Sequence, residues 1–285
     1  MWSHMSKKLF LYNYYQSQVK ACLSYMENIP KSFDVEDIHQ LRVRIKKIKA
    51  IFQLIEYSGS DLVNSKEFYR LFRSVFRKAG FIRENQVNIS LIKSFDGYNY
   101  LVDEFEKYII IKEEDERSAL IKLIKKFNYD RSAEQDKIVK SFFTETKRES
   151  LIKLSNAFIQ DKVETISSLP RPKGDTRIIH EIRIQLKSIK PILTVLVNID
   201  GSGYTVSAYN DLDIVEKQIG DWHDLFVLSI SLARFINYSP STGNDILDVY
   251  IKLIKEIKAD TPLSIESIYQ NLTHLLNELR EQSQV

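Results

Sequence analysis

Apolar and polar positions follow a helical period along nearly the whole chain. Glycine and proline, which punctuate helices, are scarce at 8 and 6 residues. We therefore predict an all-α protein, with Asp61 capping one helix and Gly80 ending it. The predicted helices cover residues 7–27, 35–57, 62–79, 81–95, 98–112, 117–127, 134–168, 179–190, 211–218, 224–238, 245–258 and 263–282.

A twelve-residue string occurs twice, at residues 38–49 and 179–190. Both copies contain His-x-x-Arg-x-x-x-Lys-x-x-Lys, and the offset from His39 to His180 is 141 residues. A second pair of strings, 79–87 and 219–227, follows in the same order with an offset of 140 residues, from Gly80 to Gly220. Two motif pairs with nearly the same offset predict an internal duplication.

The duplication predicts two halves, residues 6–148 and 149–285, each forming one of two pseudo-symmetric four-helix bundles. Residues 1–5 resemble a remnant of a cloning tag, so we assign no function to His4. Pro191 directly follows the second basic string, and we expect it to kink that helix or to make it irregular.

On a helix, the repeated string forms an apolar seam with a basic stripe beside it, because successive residues turn by about 100°. The seam of the first copy contains Ile38, Leu41, Ile45, Ile48 and Phe52. The two stripes consist of His39, Arg42, Lys46 and Lys49, and of His180, Arg183, Lys187 and Lys190.

The stripes contain no acidic partner, although a solvated helix face usually mixes charges of both signs. Cations this close repel one another, and a bound polyanion would relieve that repulsion. An ordinary solvated face remains the alternative, and each histidine could be a packed, hydrogen-bonded residue instead of a ligand.

The composition limits how a polyanion site can arise and indicates the cellular compartment. The net charge is only +3, so any polyanion site must come from local clustering, and 44% apolar residues suffice for a sizeable core. Cys22 is the one cysteine, which excludes an intramolecular disulfide. With a single cysteine, a reducing cytoplasm is the compartment we expect. We expect no membrane partner, since no stretch of the sequence is apolar and long enough to span a bilayer.

With both motif pairs, the chain resembles the CHAD family, the conserved histidine α-helical domain. The family has a basic His-x-x-Arg helix in each half, followed by a Gly-x-x-Arg/His-acid motif. The resemblance implies two helical bundles whose motif helices line a basic cleft or pore. It also implies binding of inorganic polyphosphate without catalysis. We expect polyphosphate granules as a partner, and we expect neither a cofactor nor a metal.

By position, the resemblance assigns the polyphosphate ligands to the two stripes, and we add Arg44 and Lys47 of the first copy. The second copy has Gln185 and Ser188 at those two positions, so we expect it to be the weaker half. Glu84 stands where the family usually has aspartate. The glycine motifs could be structural, with the acid capping or orienting its neighbours.

Further cations could extend the site. Arg70, Arg73 and Arg77 form another stripe on the helix that follows, although a solvent-facing side is the alternative. Arg83 and His223 of the glycine motifs are the other candidates.

Three other functions are alternatives. A nucleic-acid binder would need exposed aromatic residues among the cations, or side chains that read base edges, and the basic helices are aliphatic. A phosphohydrolase would need a Walker loop, a His-Glu-x-x-His metal motif or a paired acid and base, and the sequence has none. A scaffold that docks other proteins through its helical bundles stays open as an added role.

Overall fold

The computed structural model describes residues 9–95, 98, 102–171, 176–238 and 244–283, apart from the side chains of 238, 244–246 and 260–263. Within these residues all regular structure is helical, which confirms the predicted all-α class. The helices are α1 (Phe10–Ser32), α2 (Val35–Tyr57), α3 (Ser65–Ser94), α4 (Val102–Lys125), α5 (Tyr129–Glu145), α6 (Arg148–Ser168), α7 (Thr176–Leu196), α8 (Val206–Tyr238) and α9 (Asn244–Gln282).

The helix α2, which carries the first basic stripe, has the bounds that the pattern predicts. The side chain of Asp34 caps it by accepting hydrogen bonds from the backbone N–H groups of Glu36 at 2.8 Å and Asp37 at 3.1 Å. The following helix begins later than predicted, because Asn64, and not Asp61, caps α3 through the N–H of Glu67.

Several predicted helix ends are wrong. Helix α3 continues through Gly80 and α8 continues through Gly220, so each glycine motif lies inside one long helix. Helices α4 and α9 are also each continuous where two helices were predicted, whereas the predicted helix 134–168 is two helices, α5 and α6. Pro191 lies inside α7, which runs on to Leu196. Long helices are possible here because tertiary packing, and not local propensity, stabilises them.

Two apolar clusters hold these helices together. The larger cluster contains buried residues from both predicted halves, with the seams of α2 and α7 at its centre, such as Ile45 and Leu186. The smaller cluster joins the C-terminal parts of α3 and α8 to the N-terminal parts of α4 and α9, through residues such as Phe105 and Phe235. The basic helices are thereby fixed side by side, with α3 and α8 beside them.

Among the helices whose residues the structure describes, none has the length and apolarity that crossing a bilayer requires.

Candidate functional site

A basic cavity of about 480 Å³ lies between α2, α3, α7 and α8. Its lining contains seven Lys or Arg side chains and three carboxylates, so the wall carries an excess of four positive charges. This excess is larger than the net charge of the whole chain, +3. The cations are Arg42, Lys46, Lys47, Arg83, Arg183, Lys187 and Lys190, and the carboxylates are Glu84, Glu216 and Asp224. A wall of this kind attracts anions.

Arg42 lies at the boundary between α2 and α3, where it contacts Phe76. Its Nη1 donates a hydrogen bond of 2.8 Å to the backbone oxygen of Phe76, and its Cζ lies 4.3 Å from the centre of the Phe76 ring. Burial lowers the pKa of Arg42 to about 10, with Arg183 contributing to the shift. A Cβ atom on Gly80 would lie 2.2 Å from Nη1, so the glycine makes room for the guanidinium. This explains a glycine in the interior of α3.

Gly80→Ala and Gly220→Ala form a matched pair, because a Cβ on Gly220 meets nothing within 4 Å. In a helix interior, alanine raises the free energy of unfolding by about 0.5–1 kcal/mol relative to glycine. We therefore expect Gly220→Ala to stabilise the protein. Gly80→Ala must displace Arg42 from the Phe76 carbonyl, which costs about 1.5–3 kcal/mol for a charged hydrogen bond. Urea unfolding measures the free energy of unfolding of each variant. Equal stabilisation by the two variants would contradict this role for Gly80.

Lys46 of α2 and Lys187 of α7 line the same cavity. Burial, followed by the charges of Lys187, Arg42 and Arg183, holds the pKa of Lys46 well below its ordinary value. Burial and Arg183 also lower the pKa of Lys187, although Glu216, 3.5 Å away, opposes that shift. In the described part of the chain no carboxylate forms a salt bridge with Lys46. The pair is therefore short of negative charge.

Glu216 is the internal counter-ion of the second stripe. It lies 2.5 Å from Nζ of Lys190, which also pairs with Asp213. Burial alone would raise the pKa of Glu216, but Lys187 and Lys190 outweigh it and lower that pKa. Burial alone would lower the pKa of Lys190, and the same carboxylates raise it. Glu216 is thus ionised at neutral pH and lies among the cations of the cavity wall.

Arg183 faces the cavity with unused hydrogen-bonding capacity. Burial lowers its pKa, against the opposing charges of Asp224 and Glu216. Its Nε is buried and has no hydrogen-bond partner among the described residues. A buried donor without a partner is costly, and an anion in the cavity could supply the missing acceptor.

The two repeated histidines take different positions. His39 lines the cavity, and its pKa is lowered by burial and then by Arg83. His180 lies outside the lining and is exposed, and its ring stacks on His223, with the centres 6.3 Å apart. His223 does line the cavity, and its Nδ1 lies 3.3 Å from Oδ1 of Asp224.

Three more groups of predicted residues are placed differently. Arg44 turns away and donates to the side chains of Gln18 and Gln40. The ammonium group of Lys49 lies over the ring of Tyr69, 5.1 Å from its centre. The predicted extension on α3 is exposed outside the cavity, and it consists of Arg70, Arg73 and Arg77. Of the proposed extensions, Arg83 and His223 join the lining.

One of the two departures in the second copy, Ser188, has a structural reason. Ser188 is 5% exposed and donates a hydrogen bond of 3.0 Å to Oε1 of Gln53, so its position is buried where α7 meets α2. A lysine there would lose its hydration. Gln185 donates to Glu181 on the same helix.

Sequence reasoning missed Glu216 and Tyr209, which also line the cavity. A signal for Glu216 exists in the repeat. At the offset of 140 residues that relates Gly80 to Gly220, Glu216 corresponds to Phe76. A carboxylate in place of an apolar residue, one helical turn before the glycine, marks the second copy as the one with its own counter-ion.

Comparison with known proteins agrees with this architecture. The CHAD domain family model matches residues 13–233. The crystal structure of the CHAD domain from the plant Ricinus communis has a TM-score of 0.71 with 13% identity, covering 92% of this chain and 91% of that chain, which is a likeness of fold. The comparison with curated proteins gives no match. Since the family model spans well over half of its residues, the chain belongs to the CHAD domain family.

Proposed function

We propose that this protein binds inorganic polyphosphate in the basic cavity without catalysing its breakdown. The observation that carries the proposal is that Lys46 and Lys187 line one cavity whose wall has four excess positive charges. A row of phosphates would supply the negative charge that this pair lacks. Arg42 and Arg183 offer forked donors for phosphoryl oxygens, and lysines offer mobile point charges.

The cavity favours a ligand without bases over a nucleic acid. Single-stranded nucleic acids bind through aromatic side chains on which bases stack. Of the Phe, Tyr and Trp side chains that the structure describes, only Tyr209 contributes to the lining. Polyphosphate has no bases, and it needs only cations in a row.

A metal-dependent phosphohydrolase is a weaker candidate for the same site. Such an enzyme brings several carboxylates or histidines together on one or two metal ions. Within the described residues, the group close enough to share a metal consists of Asp211, His274 and Glu278, none of which lines the cavity. The carboxylates of the cavity instead face its cations, as Glu216 does.

Titration of the protein with long-chain polyphosphate over a series of NaCl concentrations tests the proposal. Because phosphate contacts release counter-ions, we expect the logarithm of the affinity to fall linearly with the logarithm of salt concentration. RNA and single-stranded DNA of equal charge should bind more weakly. Absence of polyphosphate binding at physiological salt would overturn the proposal. Release of inorganic phosphate, measured with and without divalent metal, would favour the enzyme.

A further inference from the structure

Two carboxylates and an imidazole meet where the N-terminal part of α8 packs against the C-terminal part of α9, outside the basic cavity. Asp211 belongs to α8, whereas His274 and Glu278 lie about one turn apart on α9. One ligand atom from each of these residues lies within 4.8 Å of the other two. Residues at i and i+4 share one helix face, so α9 presents an imidazole and a carboxylate together. Nitrogen and oxygen ligands in such a group can surround one metal ion.

Gln282 orients Glu278 and leaves one of its carboxylate oxygens free. The Nε2 of Gln282 donates a hydrogen bond of 2.9 Å to Oε1 of Glu278, and it lies 3.0 Å from Oγ1 of Thr205, just before α8. Oε2 of Glu278 is shielded from solvent, and no described N–H or O–H group donates to it. A buried carboxylate oxygen without a donor is costly, and a metal ion would supply the missing positive partner.

The distances around Asp211 also suit a bound metal. Its Oδ2 lies 3.7 Å from Nε2 of His274, which is longer than an ordinary hydrogen bond. Two ligand atoms at about 2.1 Å from one tetrahedral zinc ion lie roughly 3.4 Å apart, so a small movement would place both on the ion. The side chain of His274 is 76% exposed and can make that movement. Burial and then the charge of Asp211 raise the pKa of Glu278, and a cation between the carboxylates would relieve their repulsion.

We propose that Asp211, His274 and Glu278 bind a divalent transition-metal ion of the zinc type, through one nitrogen and two oxygens. Three protein ligands leave a fourth position for water. The imidazole favours zinc over magnesium and calcium, which prefer oxygen ligands alone. The bound ion would join the beginning of α8 to the end of α9 and stabilise their contact. Zinc binding here does not depend on the proposed polyphosphate binding, because none of the three residues lines the basic cavity.

Thermal unfolding of the full chain in a chelator-free buffer, with zinc and separately with magnesium, tests this site. At a zinc concentration about 100 times the dissociation constant, we expect the melting temperature to rise by about 5 °C. Magnesium at that concentration should leave it unchanged. His274→Ala should remove the zinc-induced rise and keep the fold, because this side chain is mostly exposed. Glu278→Gln should also remove the rise. Polyphosphate is left out of these solutions, because it would itself bind zinc.

The matched control is Asp221→Asn, which removes an exposed carboxylate of α8 that pairs with Lys217. The zinc-induced rise should persist in this variant, and isothermal titration should give one zinc ion per chain for the parent and none for His274→Ala. A melting temperature that zinc leaves unchanged would overturn the proposal. An equal rise in His274→Ala and the parent would also overturn it, because the zinc would then bind elsewhere.

Discussion

Replacing Lys46 and Lys187 together with methionine is expected to weaken polyphosphate binding by at least about 100-fold. Each lysine would contribute a charged hydrogen bond of about 1.5–3 kcal/mol to a phosphoryl oxygen, and about 1.4 kcal/mol corresponds to a factor of ten. The same variant should be more stable than the parent by about 1–3 kcal/mol, because methionine removes two crowded, desolvated amines and keeps a similar volume. Isothermal titration and urea unfolding measure the two effects.

The matched control is Arg73→Met with Arg77→Met, which removes the same number of cations from the exposed face of α3. We expect this control to change affinity by less than about threefold, since the lost charges are screened by solvent. Equal losses in the two variants would mean that net charge, and not the cavity, determines binding.

Binding should also take up a proton at Lys46. Its pKa is lowered in the free protein, and a phosphate beside it favours the charged form. The affinity should therefore fall as the pH rises through the interval between the free and the bound pKa. Titrations at about pH 8.5, above the ordinary range of histidine, in buffers of different protonation heat measure this uptake. The uptake should disappear in the double methionine variant.

Glu216→Gln is expected to have the opposite pair of effects. The carboxylate competes with an external anion for Lys187 and Lys190, so its removal should tighten polyphosphate binding by about tenfold. Without ligand the variant should be less stable by about 1–3 kcal/mol, because two cations lose their buried partner. Thermal unfolding with and without polyphosphate measures both changes, and the ligand should raise the melting temperature of the variant more than that of the parent.

Asp213→Asn is the control for this prediction, because Asp213 also pairs with Lys190 but does not line the cavity. We expect little change in affinity from it. If Glu216→Gln binds polyphosphate less tightly than the parent, Glu216 orients the lysines instead of competing with the ligand.

For helix α2, the pattern of the sequence predicts most features of the structure but not its rotation against the neighbouring helices. Its bounds, its seam and its basic side follow from the helical period alone. All five residues of the predicted seam are buried, and so are Ala50, Ile51, Leu54 and Ile55, which the seam did not include. The period does not determine which edge of the basic side faces the cavity. Lys47 lines it while Lys49 lies over Tyr69 of α3, because the neighbouring helices decide how α2 is rotated. Packing of this kind cannot be inferred from one helix.

At Gly80, the sequence predicts a helix end that the structure does not have. Glycine commonly ends a helix, so the sequence predicts an end there. The structure keeps the helix because the guanidinium of Arg42, from another helix, fills the space of the missing side chain. The difference between the two copies is likewise tertiary. His39 lines the cavity and His180 does not, although both occupy the same position in the repeated string.

A crystal structure of the protein with tripolyphosphate tests the central claim most directly, because it locates the anion. The account predicts phosphoryl oxygens within hydrogen-bond distance of the Nζ atoms of Lys46 and Lys187, between α2 and α7. Tripolyphosphate bound instead along the exposed stripe of Arg70, Arg73 and Arg77, with no anion in the cavity, would contradict it.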